Sequence, residues 1–233
     1  MTQSYASSQD QVRALEGAFI RRVYNWMVAG LALTGVMAYV AASNEGLQAL
    51  IYGNMLIFYG LIFGELAMVF ILAGRADRMK ASTAGAMFII YSLLKGLTLS
   101  FIFLIYTRSN ITSAFLVTAG TFGAMSLYGY TTKKDLTSWG GFLMMGLVGI
   151  IIASLVNIFL RSEVILWLVT YAGVLIFVGL TAYDTQRLKR MAMAGFASSE
   201  VETKAAVLGA LALYLDFINL FLMILRIFGA GRD

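Results

Sequence analysis

The chain has 233 residues, 60% of them hydrophobic and only 12% charged, with a net charge of +5 and a mean hydropathy of +0.82. A soluble domain is nearer about 45–50% apolar and about 25% charged, so this composition excludes a water-facing globular domain of any size. Proline, cysteine and histidine are all absent, which removes proline-broken helices, disulfides, thiolate metal sites, a cysteine nucleophile and the usual neutral-pH switch.

Residues 1–22 are polar and predict a short, partly disordered cytoplasmic tail that turns amphipathic near Val12–Arg22; Gln3, Ser4, Ser7 and Ser8 make it a possible handle for a partner. Residues 23–233 then form one transmembrane domain. Seven apolar segments are expected at 23–43, 48–73, 83–106, 111–132, 139–160, 163–184 and 205–228. Each reaches the roughly 20 residues that a spanning helix needs, and helix is the state that satisfies the backbone in lipid. Ala41-Ala-Ser43 faintly resembles a cleavage site, but the first apolar run is too long for the h-region of a signal peptide, so a retained helix is expected.

Basic residues sort by loop. Arg13, Arg21 and Arg22 lie in the tail; Arg75, Arg78 and Lys80 follow the second segment; Lys133 and Lys134 follow the fourth; Arg187, Lys189, Arg190 and Lys204 follow the sixth. The opposite loops hold only Arg108 and Arg161. This asymmetry predicts a cytoplasmic N-terminus and, after seven crossings, an external C-terminus. A re-entrant seventh segment with a cytoplasmic C-terminus is the alternative, because that segment carries Asp216 and Asn219.

Few charges fall inside or at the ends of the segments: Glu65, Lys95, Asp184, Asp216 and Arg226. A carboxylate at the centre of a membrane helix costs about 2.5–3.5 kcal/mol on insertion scales, so Asp216 is a functional candidate by default. Asp216 and Asn219, three apart, share a helix face and read either as a polar stripe lining an ion path or as structural glue. Asp184 closes the sixth segment, where Arg187 and Lys189 allow a plain interfacial reading; brought near Asp216, the two carboxyl groups would share a proton. Lys95, mid-segment, must either deprotonate or find a carboxylate, and Glu65 is the candidate partner. Gly60 and Gly64 precede Glu65 and are expected to admit a close helix neighbour.

Leu213-Tyr-Leu-Asp-Phe-Ile-Asn-Leu-Phe221, Leu225-Arg-Ile-Phe-Gly229, Tyr183-Asp-Thr-Gln186 and Gly64-Glu65 together resemble the transmembrane Bax-inhibitor-motif family, in particular its bacterial inner-membrane members. The resemblance covers nearly the whole chain after the tail. It implies an all-α integral membrane protein with six helices around a central seventh. It also implies a pH-sensitive calcium leak whose sensor is Asp184 and Asp216, paired with a basic residue for which Arg75 is the best match and Arg78 the alternative. Lys95 has no counterpart in that pattern. Some bacterial relatives are linked to control of a membrane-bound protease, which gives the competing expectation of a non-channel regulator of protein quality control.

Glu65, Asp184 and Asp216 supply the oxygen chemistry that hard calcium prefers, with Glu65, Asp216 and Asn219 as the candidate path, but too few ligands for a tight site. An intramembrane aspartyl protease would need the same two aspartates. Its second motif has glycine where Tyr214 stands here, and its proline-containing motif cannot exist in this chain. Without histidine a serine hydrolase lacks its base. No enzymatic activity, no cofactor and no nucleic-acid partner is therefore expected; the expected surroundings are the lipid bilayer.

Overall fold

Because lipid leaves backbone groups to satisfy one another, apolar runs of this length fold as helices. The computed structural model describes residues 2–75 and 78–229, with side chains from Arg13 onward, and is helical with no strand among the described residues. In chain order the helices are α1 (Thr2–Ala42), α2 (Glu45–Tyr52), α3 (Met55–Arg75), α4 (Ala81–Leu99), α5 (Ile102–Ile105), α6 (Arg108–Thr131), α7 (Thr137–Leu160), α8 (Glu163–Ala194) and α9 (Ser199–Gly229). Seven stretches are long and apolar enough to cross a membrane, with α4 and α5 together making the third. Phe159, Leu56 and Phe70 are 86%, 82% and 73% exposed, so the outward faces of these spans are apolar surface that hydrocarbon must cover. The most apolar stretch of α9 is 67% buried, against no more than 44% in any other span.

The chain divides into two compact units, one running to Tyr106 and including Lys189–Tyr214, the other comprising Thr107–Leu188 and the residues from Leu215 onward. In the first, α1 packs along α4. Glu16, Phe19, Val23, Met27, Thr34, Ala38 and Ala41 form a buried stripe at helical spacing. Gly30 faces Phe88 and Ser92, Gly85 faces Trp26, and Gly96 faces Met37 and the Thr34 carbonyl, each too close to admit a larger residue unchanged. The third span is interrupted without proline: the Ser100 hydroxyl donates to the Leu97 carbonyl (2.7 Å) and meets the Tyr52 hydroxyl (2.7 Å), closing α4 before α5 resumes.

Several boundaries differ from expectation. The helix of the first span begins at Thr2, not near residue 23, because the buried stripe already starts at Glu16; the side chains of Gln3, Ser4, Ser7 and Ser8 lie outside the described ones. The second span begins at Met55 rather than 48. Gly53 ends α2, and the Asn54 side chain accepts from the Leu56 and Ile57 amides to start α3 (3.0 and 3.4 Å). Gly60 and Gly64 do not seat a neighbour, since nothing lies within 4 Å of a side chain placed at either. α8 continues to Ala194, so Asp184 falls inside the helix rather than at its end. α9 is unbroken over 31 residues, about 46 Å, with no turn of the kind a re-entrant segment requires.

In the second unit α8 is the shared surface. Gly129 of α6 lies against the Ala182 backbone, Gly140 of α7 against the Tyr183 ring, Leu143 of α7 against Gly179, and Met223 of α9 against Gly173. Phe217 of α9 packs edge-on between Phe115 and Phe122 of α6. A methyl at Gly129 would press into the Ala182 carbonyl, which backbone cannot yield, whereas one at Gly120 meets nothing within 4 Å. Gly129→Ala is therefore expected to destabilise the protein by about 1–3 kcal/mol, while Gly120→Ala is neutral or stabilising by up to about 1 kcal/mol. Thermal unfolding of both variants in detergent checks the contrast.

Candidate functional site: two aspartates and a separate ion pair

Asp216 lies in the buried middle of α9, 5% exposed, between Tyr214 and Phe217, both also buried. On α8, Asp184 is half-buried. The two side chains lie within hydrogen-bonding reach of each other. An ionised carboxylate only accepts, so a bond between two carboxyl groups requires that one of them carry a proton and donate it. The other Asp216 oxygen, Oδ2, is buried and has no hydrogen-bond partner. Such an atom ordinarily carries a penalty of about 1–3 kcal/mol, and it marks where a further donor or a cation would be welcome. Arg187, one turn beyond Asp184 on α8, is the cation whose field reaches that aspartate.

Asn219 takes no part in the pair. Its amide nitrogen donates to the Leu215 carbonyl of its own helix (2.8 Å), the usual local way to satisfy an amide in a span. Arg226, near the far end of α9, donates to the Thr170 hydroxyl of α8 (3.0 Å). Asn157 caps the end of α7 by accepting from the Ser162 amide (2.9 Å), beside Arg161 in the left-handed conformation (φ 50°). Among the described residues no group of three or more His, Cys, Asp and Glu side chains forms a metal cage.

The first unit holds a different kind of charge. Glu65 of α3 is 5% exposed; its Oε2 pairs with Lys95 Nζ at 3.2 Å and its Oε1 accepts from Thr98 Oγ1 at 2.6 Å. The Glu65–Lys95 pairing expected from the sequence is present. Both carboxylate oxygens are engaged, so Glu65 is a counter-ion here rather than a free ligand. Nearby, Tyr214 of α9 shares a 2.6 Å hydrogen bond with Thr34 of α1, whose hydroxyl also lies 2.8 Å from the Ser92 carbonyl. Arg75 ends α3 with its side chain exposed.

Sequence reasoning missed two polar side chains that bind backbone. Glu200, in the first turn of α9, accepts from the Ala81 amide and so caps α4. Gln186 of α8 reaches the connection between α6 and α7: its Nε2 donates to the Lys134 carbonyl (2.8 Å) and its Oε1 accepts from the Leu136 amide (2.9 Å). The only signal was that Gln186 closes the Tyr-Asp-Thr-Gln element. Breaking the first-unit pair from one side should be far worse than removing it whole. Lys95→Met leaves Glu65 buried without its cation and is expected to cost about 3–5 kcal/mol, whereas Lys95→Met with Glu65→Gln recovers most of that loss. Unfolding of the single and double variants in detergent measures both.

Residues 16–233 match the family described as Inhibitor of apoptosis-promoting Bax1. Over 229 residues the chain is 50% identical to the inner membrane protein YbhL of Escherichia coli K12, covering 95% of each. It is 43% identical over 227 residues to an uncharacterised protein of Borreliella burgdorferi, covering 97% of this chain and 98% of the relative. It is 38% identical over 213 residues to an uncharacterised membrane protein of Streptococcus pyogenes serotype M6, covering 91% and 92%. With a family match from Glu16 to the last residue and seven helices able to cross a membrane, the chain belongs to the Bax inhibitor family of membrane proteins.

Proposed function

We propose that this protein is a pH-sensitive cation leak, with calcium as the ion its oxygen chemistry suits, gated by the Asp184–Asp216 pair. The observation that carries this reading is the close approach of the two carboxyl side chains, one of them 5% exposed and holding a buried oxygen without a partner. In the closed state one proton serves both carboxyl groups and ties α8 to α9. Removal of that proton turns an attraction into repulsion between two like charges in a poorly screened setting, and the helices separate there. The exposed oxygens then offer a passing cation brief coordination, and too few ligands to trap it. The charge left on the pair needs a counter-charge, the role that the family resemblance gives Arg75. In this reading the N-terminus is cytoplasmic, as the loop charges suggest.

Glu65 drops out of the path in this account, because Lys95 and Thr98 already occupy its oxygens. Asn219 contributes only through its own helix. The competing reading, a regulator that binds a membrane-bound protease or another quality-control partner without passing ions, needs no change in the pair's protonation.

Calcium entry into dye-loaded proteoliposomes, followed between about pH 5 and pH 8 across the range where shared carboxyl protons exchange, separates the two. The leak reading expects flux that changes with pH in the native protein and a flat pH response in Asp216→Asn and Asp184→Asn. No flux above empty liposomes at any pH would favour the regulator and leave Asp216 as structural glue.

A further inference from the structure

We propose that Gln186 is the positioning residue of the aspartate pair: it fastens α8 to the α6–α7 connection, so that Asp184 is the fixed partner and Asp216 the one that moves. This rests on the reading of the pair as a working proton site, and it adds which helix yields.

The local geometry supports the assignment from three directions. The Gln186 amide is buried, 7% exposed, and both its ends are used, the nitrogen on the Lys134 carbonyl (2.8 Å) and the oxygen on the Leu136 amide (2.9 Å). A carbonyl must face the NH₂ and an amide N–H must face the oxygen, so the side chain fits in one orientation only. Leu136 is the residue just before α7, where helix amides lack partners within the helix, and Gln186 supplies one from outside. Asp135 caps the next residue, its Oδ1 accepting from the Thr137 amide at 2.9 Å, so the connection is held at consecutive positions.

The rest of the same helical turn is equally committed. Tyr183 fills the notch at Gly140 of α7, and the Ala182 backbone abuts Gly129 of α6. The Thr185 hydroxyl donates to the Thr181 carbonyl (2.8 Å). Asp184 is the residue of this turn that faces Asp216 of α9. Asp216, by contrast, has one oxygen on Asp184 and the other on nothing. When the shared proton leaves, Asp216 loses the partner of its side chain, while the bonds of the Gln186 amide on α8 remain.

The charged groups near the clamp are Asp184 and Arg187 on α8, Asp216 on α9, and Lys133, Lys134 and Asp135 in the connection. α7 carries no titratable side chain, and α6 brings only Tyr128 and Tyr130 to its nearby end. None of these is a hydrogen-bond partner of the Gln186 amide, which binds backbone groups that do not titrate.

Amide hydrogen exchange at Leu136, in the full-length protein in nanodiscs and corrected for the intrinsic effect of pH, tests the anchor without reference to flux. The native protein is expected to protect Leu136 equally at about pH 5 and pH 8, on either side of the pair's proton exchange. Gln186→Met, which keeps length and volume but deletes both bonds, is expected to lose that protection and to flatten the pH response of calcium flux. Gln186→Glu should protect Leu136 in both acid and base, since either form of the carboxyl group accepts from that amide, and lose only the bond to the Lys134 carbonyl in base. Native protection that disappears at one end of the pH range would overturn the proposal, because α8 would then be moving. Gln186→Met with native protection and a native pH profile would overturn it as well. If Gln186→Met fails to fold, the native pH series decides alone. If native protein passes no calcium at all, the leak reading fails while Leu136 protection still reports whether α8 is anchored.

Discussion

A carboxyl group in the middle of a membrane helix survives there only if something other than water stabilises it, and for Asp216 that something is a single hydrogen bond to Asp184. The two aspartates cannot both be ionised in that bond, since one must donate. The buried half of α9 therefore depends on one shared proton. Remove it, and two negative charges face each other where the effective dielectric is low. Donate a second, and each carboxyl becomes a neutral acid with no need of the other's charge. Such a bond is specific to one protonation state of the pair, and in the proposed function this is what links pH to helix contact.

The comparison with Glu65 sharpens the point. Glu65 is buried to the same degree as Asp216, but an ammonium and a hydroxyl meet its two oxygens. That ion pair and hydrogen bond tie α3 to α4. Asp216 has a partner of its own sign and one unmet oxygen. Two acidic residues in membrane spans thus sit in opposite surroundings, and the proposed gate rests on the one without a counter-ion. The glycines at 129 and 140 let α6 and α7 close on α8 beside Asp184.

Much of this was legible in the chain. The seven spans follow from length and hydropathy, and each overlaps the segment expected for it. The cost of a lone charge in lipid singled out Asp216 and required a partner for Lys95, which proved to be Glu65. The shortfalls share a cause: hydropathy sees side chains, and these features turn on backbone. Gly53 and Asn54 cut α2 from α3 through a helix end and a cap, inside a run that is apolar throughout. Ser100 and Tyr52 interrupt the third span by binding carbonyl and hydroxyl oxygens that no periodicity reveals. Gln186 is one neutral amide beside a conspicuous aspartate, and its two partners lie 50 and 52 residues away in the chain. The pattern at Gly60 and Gly64 failed in the opposite sense, since small residues permit a close neighbour but do not supply one.

The central claim is that Asp184 and Asp216 hold one proton between them. Infrared difference spectroscopy of the reconstituted protein, titrated in water and in heavy water, reads protonated carboxyl groups directly by their C=O stretch. The account predicts a deuterium-sensitive carboxylic-acid band in native protein that disappears as pH rises and is altered in both Asp184→Asn and Asp216→Asn. A native spectrum with no protonated carboxyl band at any pH between about 5 and 8, or a band that both substitutions leave untouched, would contradict it.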